Sequence, residues 1–157
     1  MAIFKRTLKK VCVINGPNLN MLGTREPEIY GYTTLREIIR VLKSHARKYG
    51  IRVRCYQSNH EGKLIDRIQK LSRRGFTGLI INPGALTHYS YSLRDAIKAS
   101  GVPAVEVHLS DIDKREEFRK LSVIKDVCIA QIKGMGPRGY IVALDLLKER
   151  FSGDDSA

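Results

Sequence analysis

The chain of 157 residues, 43% of them hydrophobic, is long enough for one compact domain with a buried core. No apolar run approaches the ~20 residues of a membrane helix, which excludes a membrane-spanning helix. The 28 Lys and Arg residues outnumber the 16 Asp and Glu residues and give a net charge of +12, which would attract a nucleic acid, a membrane surface or an anionic small molecule.

The basic residues are spread over several predicted helices instead of forming one block interleaved with aromatic residues. That distribution favours a solvated surface over a nucleic-acid-binding stripe. We therefore expect no nucleic-acid and no membrane partner. Steering of an anionic small molecule remains as the interpretation of the charge.

The cysteines and the N-terminus predict a cytoplasmic protein. Cys12, Cys55 and Cys128 are odd in number, widely spaced and placed inside hydrophobic runs, which favours buried thiols over disulfides or a zinc site. The basic start MAIFKRTLKK lacks the apolar core and the cleavage site of a secretory signal. We expect a single domain over residues 1–157, with a basic N-terminal arm at 1–8 and a disordered tail at 152–157.

In chain order, the first half predicts a strand, a helix, a strand and a helix. A buried strand over Lys9–Asn15 is followed, after a long loop, by an amphipathic helix that begins at Thr33 or Thr34 and ends before a glycine. The alternation of polar and apolar residues over Ile51–Tyr56 indicates a strand near a sheet edge or an interface. Apolar residues at 64, 65, 68 and 71 then predict a second helix, which ends at Gly75.

The second half continues the alternation of strands and helices. The predicted elements are a strand over Gly78–Ile81, a helix over Ser92–Ser100, a strand over Ala104–Leu109, a short charged helix near Asp113–Arg119, a strand over Val127–Lys133, and a helix from Tyr140 to about Phe151. Five strands that alternate with helices imply a parallel sheet covered on both faces. The predicted fold is α/β, a flavodoxin-like three-layer arrangement with a five-stranded parallel sheet in the order 2-1-3-4-5.

Ligands of such folds bind beyond the carboxyl ends of the strands, where polar segments follow four of the predicted strands. The first segment has 18 residues without periodicity, more than the ~12 to 15 of most structureless loops, and favours an active-site lid. Within it Arg25 lies five residues before Tyr30, and a guanidinium beside a phenol favours the charged form that can act as a base. Alternatively, Tyr30 only packs and Arg25 pairs with Glu26 or Glu28. Tyr32 is an equal candidate on chemistry alone.

Other candidates follow the third and fourth strands. Glu106 and His108 share one side of the fourth strand near its end, where a carboxylate orients an imidazole for acid–base work. Asn82 and His88 flank a turn and offer an amide and an imidazole to a ligand, or they cap that turn. The late segment GMGPRG lacks the spacing of a phosphate-binding loop, which favours a tight turn. His60 has no paired ligand spacing, so we expect no metal.

Five segments, in their order along nearly the whole chain, resemble the type II 3-dehydroquinate dehydratases. They are VINGPNLNMLGTREPEIYG, QSNHEGKLID, INPGALTHYSYSLRDAI, VEVHLSDIDKREEFR and GMGPRGYIVAL. The resemblance implies a flavodoxin-like fold and reversible dehydration of 3-dehydroquinate to 3-dehydroshikimate. It also implies a homo-oligomer, a dodecamer built from trimers. It implies neither a metal nor another cofactor. Aromatic biosynthesis through the shikimate pathway and quinate breakdown both use this step.

The resemblance also implies roles for individual residues. Tyr30 looks like the base that removes the C2 proton, with Arg25 stabilising its anion. Asn18 is similar to the residue that positions a water near the enolate oxygen. His108, oriented by Glu106, resembles the acid that protonates the departing C1 hydroxyl. The remaining positions that match the family's substrate contacts are Asn82, His88, Arg119, the backbone amides of Leu109 and Ser110, and Asp95, which would reach a neighbouring subunit's site.

The chain departs from the family pattern after the fourth strand. Asp111 stands where the family usually has Asn, Asp113 replaces a common His, and Lys120 and Leu121 occupy positions that are usually polar and often His-rich. The two aspartates would put negative charge near an anionic ligand. The alternative to an enzyme is a non-catalytic flavodoxin-like binding module, which would have no need of an Arg–Tyr pair and a Glu–His pair.

Overall fold

The computed structural model describes residues 7–152. Residues 1–6 of the predicted arm and 153–157 of the predicted tail lie outside the described residues. Leu8, which we placed in the arm, is buried in the hydrophobic core ahead of the first strand. Ser152, which we placed in the tail, is the last residue of the final helix.

Five parallel strands form one sheet in the order β2-β1-β3-β4-β5, which confirms the predicted flavodoxin-like class and strand order. The strands are β1 (Lys10–Asn15), β2 (Arg52–Gln57), β3 (Gly78–Asn82), β4 (Ala104–Val107) and β5 (Ala130–Ile132). β2 is an edge strand, as its alternating sequence predicts. The central strands β1 and β3 are almost wholly buried because helices cover both faces of a parallel sheet.

The helices are α1 (Pro27–Tyr30), α2 (Leu35–Arg47), α3 (Glu61–Ile68), α4 (Tyr91–Ser100) and α5 (Arg138–Ser152). α2 and α5 share one apolar core on one face of the sheet, and α3 and α4 share a second core on the other face. Thr34, not Thr33, begins α2, because its hydroxyl accepts from the Glu37 N–H while the Glu37 carboxylate accepts from the Thr34 N–H. None of these helices is long and apolar enough to cross a membrane.

Four predicted elements are wrong in their extent. The second helix, predicted to end at Gly75, ends at Ile68, and the strand predicted over Ala104–Leu109 ends at Val107. The predicted helix at Asp113–Arg119 is two separate 3-10 turns, Ile112–Lys114 and Glu117–Arg119, because the backbone is extended at Arg115 between them. The predicted strand at Val127–Lys133 is only β5, since β5 pairs with β4 over three residues and the chain before it forms a further 3-10 turn. Arg115, where the backbone is extended, also lines the candidate active site described below.

The three cysteines, which the sequence predicts as buried thiols, are free thiols. Cys12 is buried, and Cys55 and Cys128 are partly buried. Burial raises the pKa of Cys12 and of Cys128 to about 12 and that of Cys55 to about 11. These thiols are therefore protonated packing residues and not nucleophiles.

Candidate active site

A cleft that is partly open to solvent lies beyond the carboxyl ends of β1, β3 and β4. This is where the polar segments of the sequence are predicted to meet. The cleft is lined by Pro17, Asn18, Leu19, Leu22, Arg25, Tyr30, Asn82, Gly84, Ala85, His88, His108, Leu109, Ser110, Ile112, Arg115 and Arg119. It therefore contains nine of the eleven site residues that the sequence analysis selected; Glu106 is buried behind it, and Asp95 lies outside it.

The loop after β1 and the turn after β3 touch at the base of the cleft. The Gly16 N–H donates to the Asn82 carbonyl at 2.8 Å, and a Cβ on Gly16 would lie 2.3 Å from the Pro83 carbonyl oxygen. Only glycine fits there. The adjoining Asn18 has a left-handed backbone (φ 69°), and its N–H donates to the Asn59 side chain at 2.9 Å. Asn18 is thereby presented at the cleft.

Tyr30 ends the one-turn helix α1, and its phenol oxygen accepts a hydrogen bond from Arg115 Nη1 at 2.5 Å. The Arg115 side chain is only 13% exposed, and its guanidinium carbon lies 5.4 Å from the centre of the Tyr30 ring. Sequence reasoning missed Arg115. The available signal was its position four residues before Arg119 in a charged segment that follows β4.

Arg25 lies near the Tyr30 ring and also pairs with Glu26, so it makes both of the contacts that the sequence offered as alternatives. Its guanidinium carbon lies 5.8 Å from the centre of the Tyr30 ring, while its Nε pairs with the Glu26 carboxylate at 3.1 Å. Arg25 is thus a second positive charge near the phenol, but the direct hydrogen bond to the phenol comes from Arg115. Tyr32 is 80% exposed and does not line the cleft, so the geometry favours Tyr30 over Tyr32.

Glu106 and His108 form a buried acid–base pair at the end of β4. His108 Nε2 lies 2.6 Å from Glu106 Oε1, and the two side chains are 6% and 0% exposed. The His108 N–H donates to the Ile132 carbonyl at 2.8 Å and fixes the backbone one residue beyond the strand. Because Nε2 is bonded to the carboxylate, Nδ1 is the nitrogen left for a ligand.

Burial raises the pKa of the Glu106 carboxyl, but the hydrogen bond and charge of His108, together with the hydroxyls of Thr87 and Ser122, outweigh burial and leave the pKa below its usual value. Thr87 Oγ1 donates to Glu106 at 2.5 Å and Ser122 Oγ at 2.8 Å. The carboxylate is therefore ionised at neutral pH and can support an imidazolium.

Asn82 ends β3 and is held by two partners. Its Nδ2 donates to the hydroxyl of Tyr140 at 3.1 Å, and its Oδ1 accepts from the Gly84 N–H at 3.2 Å. Tyr140 is fully buried in α5 and donates onward to Asn15 Oδ1 at 2.5 Å. One N–H of the Asn82 amide remains for a ligand in the cleft.

His88 and Arg119 line the opposite wall. His88 Nδ1 lies 2.7 Å from the Leu121 carbonyl oxygen, and its ring packs edge-on against Phe118. Burial lowers the pKa of His88, and the hydrogen bond to the Leu121 carbonyl opposes that shift only in part. A neutral His88 with Nδ1–H toward Leu121 leaves Nε2 as an acceptor. Arg119 is held by Glu116 at 2.9 Å.

The segment GMGPRG is a tight turn, and it supports the backbone of Leu109 and Ser110. The N–H groups of Gly134 and Gly136 donate to the carbonyls of Ser110 and Leu109, each at 3.0 Å. Gly134 has φ +73°, and a Cβ there would lie 3.1 Å from the Asp111 Cβ. Among residues 7–152, the N–H groups of Leu109 and Ser110 have no acceptor, so they are free for an anion.

Asp95 does not join the cleft of its own chain. It lies on α4, its side chain is 78% exposed, and it pairs with Arg94 at 3.6 Å. Its predicted contact with a neighbouring subunit's site stays a prediction.

Each unusual acid after β4 is paired with a nearby lysine. Asp111 lies 3.5 Å from Lys114 Nζ and accepts from the Asp113 N–H. Asp113 pairs with Lys133, and that ion pair lowers the pKa of Asp113. A lysine charge thus offsets each of the two negative charges locally. In residues 7–152, no three side chains of the types that bind metals come together.

The fold and the site define a flavodoxin-like α/β protein with a phenol base candidate and an imidazole acid candidate in one cleft. The chain belongs to the family dehydroquinase class II, whose model matches residues 9–148. It is 52% identical over 142 residues to a 3-dehydroquinate dehydratase of Caldicellulosiruptor saccharolyticus, covering 90% of this chain and 98% of that protein. It is 51% identical over 141 residues to that of Thermotoga maritima, covering 90% and 96%.

Solved structures agree with this assignment. A type II dehydroquinase from Butyrivibrio crossotus superposes with a TM-score of 0.87 at 49% identity, covering 88% of this chain and 97% of that chain. A type II dehydroquinase from Propionibacterium acnes has a TM-score of 0.86 at 37% identity, covering 92% and 99%. The resemblance found in the sequence is thereby confirmed at the level of the family.

Proposed function

We propose that this chain is a type II 3-dehydroquinate dehydratase, a hydro-lyase that reversibly eliminates water from 3-dehydroquinate to give 3-dehydroshikimate through an enolate. Its family and its named relatives support the reaction. The observation that carries the mechanism is that Tyr30, bonded by Arg115, and His108, bonded by Glu106, line one cleft. The candidate base and the candidate acid thus each have their own charged partner in the site.

In the first step, the Tyr30 phenolate removes the proton from C2, and the electrons of the C2–H bond move into an enolate with the neighbouring ketone. Arg115 stabilises the negative charge on the phenol oxygen before the transfer, and Arg25 adds a second positive charge. Asn18 positions a water near the enolate oxygen. Preorganised donors in such positions typically contribute ~3 to 4 kcal/mol.

In the second step, His108 protonates the C1 hydroxyl, the C1–O bond breaks, and water leaves. The enolate electrons form the C1–C2 double bond and restore the ketone. Glu106 keeps the imidazole oriented and balances its charge. The proton that Tyr30 took from C2 then passes through solvent to His108, which returns both groups to their starting forms. This mechanism therefore needs no cofactor and no metal.

The substrate is held by groups on the remaining walls. We assign its carboxylate to the free N–H groups of Leu109 and Ser110, and its hydroxyls to Asn82, His88 and Arg119. The positive charge of the chain then serves to attract this anion. The test is the absorbance of the conjugated enone product. Purified protein that forms no enone from 3-dehydroquinate at high enzyme concentration would contradict the proposal.

We further propose that the chain assembles as trimers within a dodecamer, with Asp95 completing a neighbouring subunit's site. Large apolar side chains near the cleft support an interface, since Tyr89, Tyr91, Phe118 and Leu121 are 62%, 65%, 58% and 59% exposed. Light scattering on active protein should report a trimer-based mass. A monomeric mass with full activity would exclude Asp95 from the site.

A cytoplasmic location and a role in the shikimate pathway for chorismate and aromatic amino acids complete the proposal. The same reaction in quinate breakdown is the alternative. Neighbouring genes for other shikimate-pathway enzymes would support the biosynthetic role, and genes for quinate oxidation would support the other.

A further inference from the structure

The buried Glu106 carboxylate has four donors, and they come from four separate segments of the chain. Oε1 accepts from Thr87 Oγ1 at 2.5 Å and Ser122 Oγ at 2.8 Å, and lies 2.6 Å from His108 Nε2. Oε2 has one donor among residues 7–152, the side-chain amide of Gln131 at 3.1 Å. The imidazole thus contacts Oε1, whereas Gln131 is the only donor to Oε2 among residues 7–152.

Gln131 reaches Glu106 because of strand register. β5 pairs with β4 so that Glu106 and Gln131 are direct neighbours across the sheet, and their side chains therefore project to the same face. Gln131 does not line the cleft, so a substrate there would not contact it. Among residues 7–152, the only side-chain hydrogen bond of Gln131 is to Glu106, so we expect it to influence the reaction through Glu106.

The terminal torsion of a glutamate is broad, so a carboxylate held at one oxygen can rotate about its last bond. Donors at both oxygens restrict that rotation. A buried carboxylate oxygen without a donor also loses a charge-assisted hydrogen bond and has no water to replace it.

We propose that Gln131 is a positioning residue that fixes the plane of the Glu106 carboxylate, so that Oε1 stays directed at His108 Nε2. This inference rests on the proposed role of His108 as the acid. It goes beyond that role by extending the acid–base pair to a third side chain on the edge strand β5.

The first test is Gln131→Met, which keeps the length of the side chain and removes the donor. We expect kcat to fall about tenfold with KM within twofold of the wild type, since one hydrogen bond to a buried charged group is lost and no substrate contact changes. Gln69→Met, at an exposed position on the end of α3, is the control and should leave both constants unchanged. Unchanged kcat in Gln131→Met, or a loss confined to KM, would overturn the proposal.

Gln131→Glu supplies a second variant with the same shape. At low pH the introduced carboxyl is protonated and can donate to Glu106, but at higher pH the two carboxylates repel each other. The other titratable groups that influence or are influenced by Glu106 are His108, His88 and Cys128. We expect the kcat of Gln131→Glu, relative to wild type, to fall as pH rises, whereas a parallel pH profile would count against a donor role.

The double variant that combines Gln131→Met with His108→Ala separates this inference from the proposed function. If Gln131 acts through His108, then adding Gln131→Met to His108→Ala should leave kcat unchanged. An independent tenfold loss in that background would overturn the positioning role while leaving His108 as the acid. Wild-type kcat in His108→Ala alone would instead overturn the role of His108.

Discussion

Replacing Arg115 with Met tests whether its hydrogen bond to the Tyr30 phenol oxygen stabilises the phenolate that acts as the base. The side chain is 13% exposed and donates at 2.5 Å, so its charge is only partly screened by solvent. Two opposite unit charges ~4 Å apart at an effective dielectric constant of ~20 attract by about 4 kcal/mol. We halve this value because Tyr30 is itself partly exposed, which leaves about 2 kcal/mol, or a fall in kcat of about thirtyfold.

The assay is the rate of enone absorbance at saturating 3-dehydroquinate. Arg73→Met, at an exposed position away from the cleft, is the matched control and should retain wild-type kcat. Arg115→Lys keeps the charge but not the planar donor geometry, so we expect a smaller loss than in Arg115→Met. A kcat within twofold of wild type in Arg115→Met would refute the assignment, and Arg25 would then be the main cation for the phenol.

Three further predictions concern the base, the acid and the buried carboxylate. Tyr30→Phe should nearly abolish turnover while calorimetry still detects substrate binding; retained activity would transfer the role to Tyr32. His108→Ala should lower kcat and leave the fold intact by circular dichroism, and an unchanged rate would remove His108 from the acid role. The folded-state pKa of Glu106 lies below its usual value of 4.5, so its contribution to stability is present above that value and is lost as pH falls through the lower folded pKa. Urea titrations should show this acid-dependent loss in the wild type and a smaller one in Glu106→Gln.

The fold was predictable because its signals are local. Apolar periodicity marks α2 and its cap, and the β-branched runs of β1 and β3 mark buried parallel strands. The loops after those strands were equally visible, because a long polar segment between a strand and a helix has few structural explanations. The segment after β4 was misassigned because its charged residues have helical composition, while the extended backbone at Arg115 depends on contacts that are distant in sequence.

The site itself was only half predictable. Glu106 and His108 are two residues apart on a strand, so their shared face and their contact follow from strand geometry. Tyr30 and Arg115 are 85 positions apart, and nothing near either residue encodes that pairing. The same holds for the donors Thr87, Ser122 and Gln131 around Glu106.

The chain alone thus specified its elements, its parallel sheet and the residue types gathered at one edge, because periodicity and strand direction act over a few residues. The family resemblance already favoured Tyr30 over Tyr32, but the physical reason came only from the folded protein: one phenol faces the cleft and the other is 80% exposed. Only the folded protein could show which guanidinium holds the phenol, because a hydrogen bond depends on distance in space and not on separation along the chain.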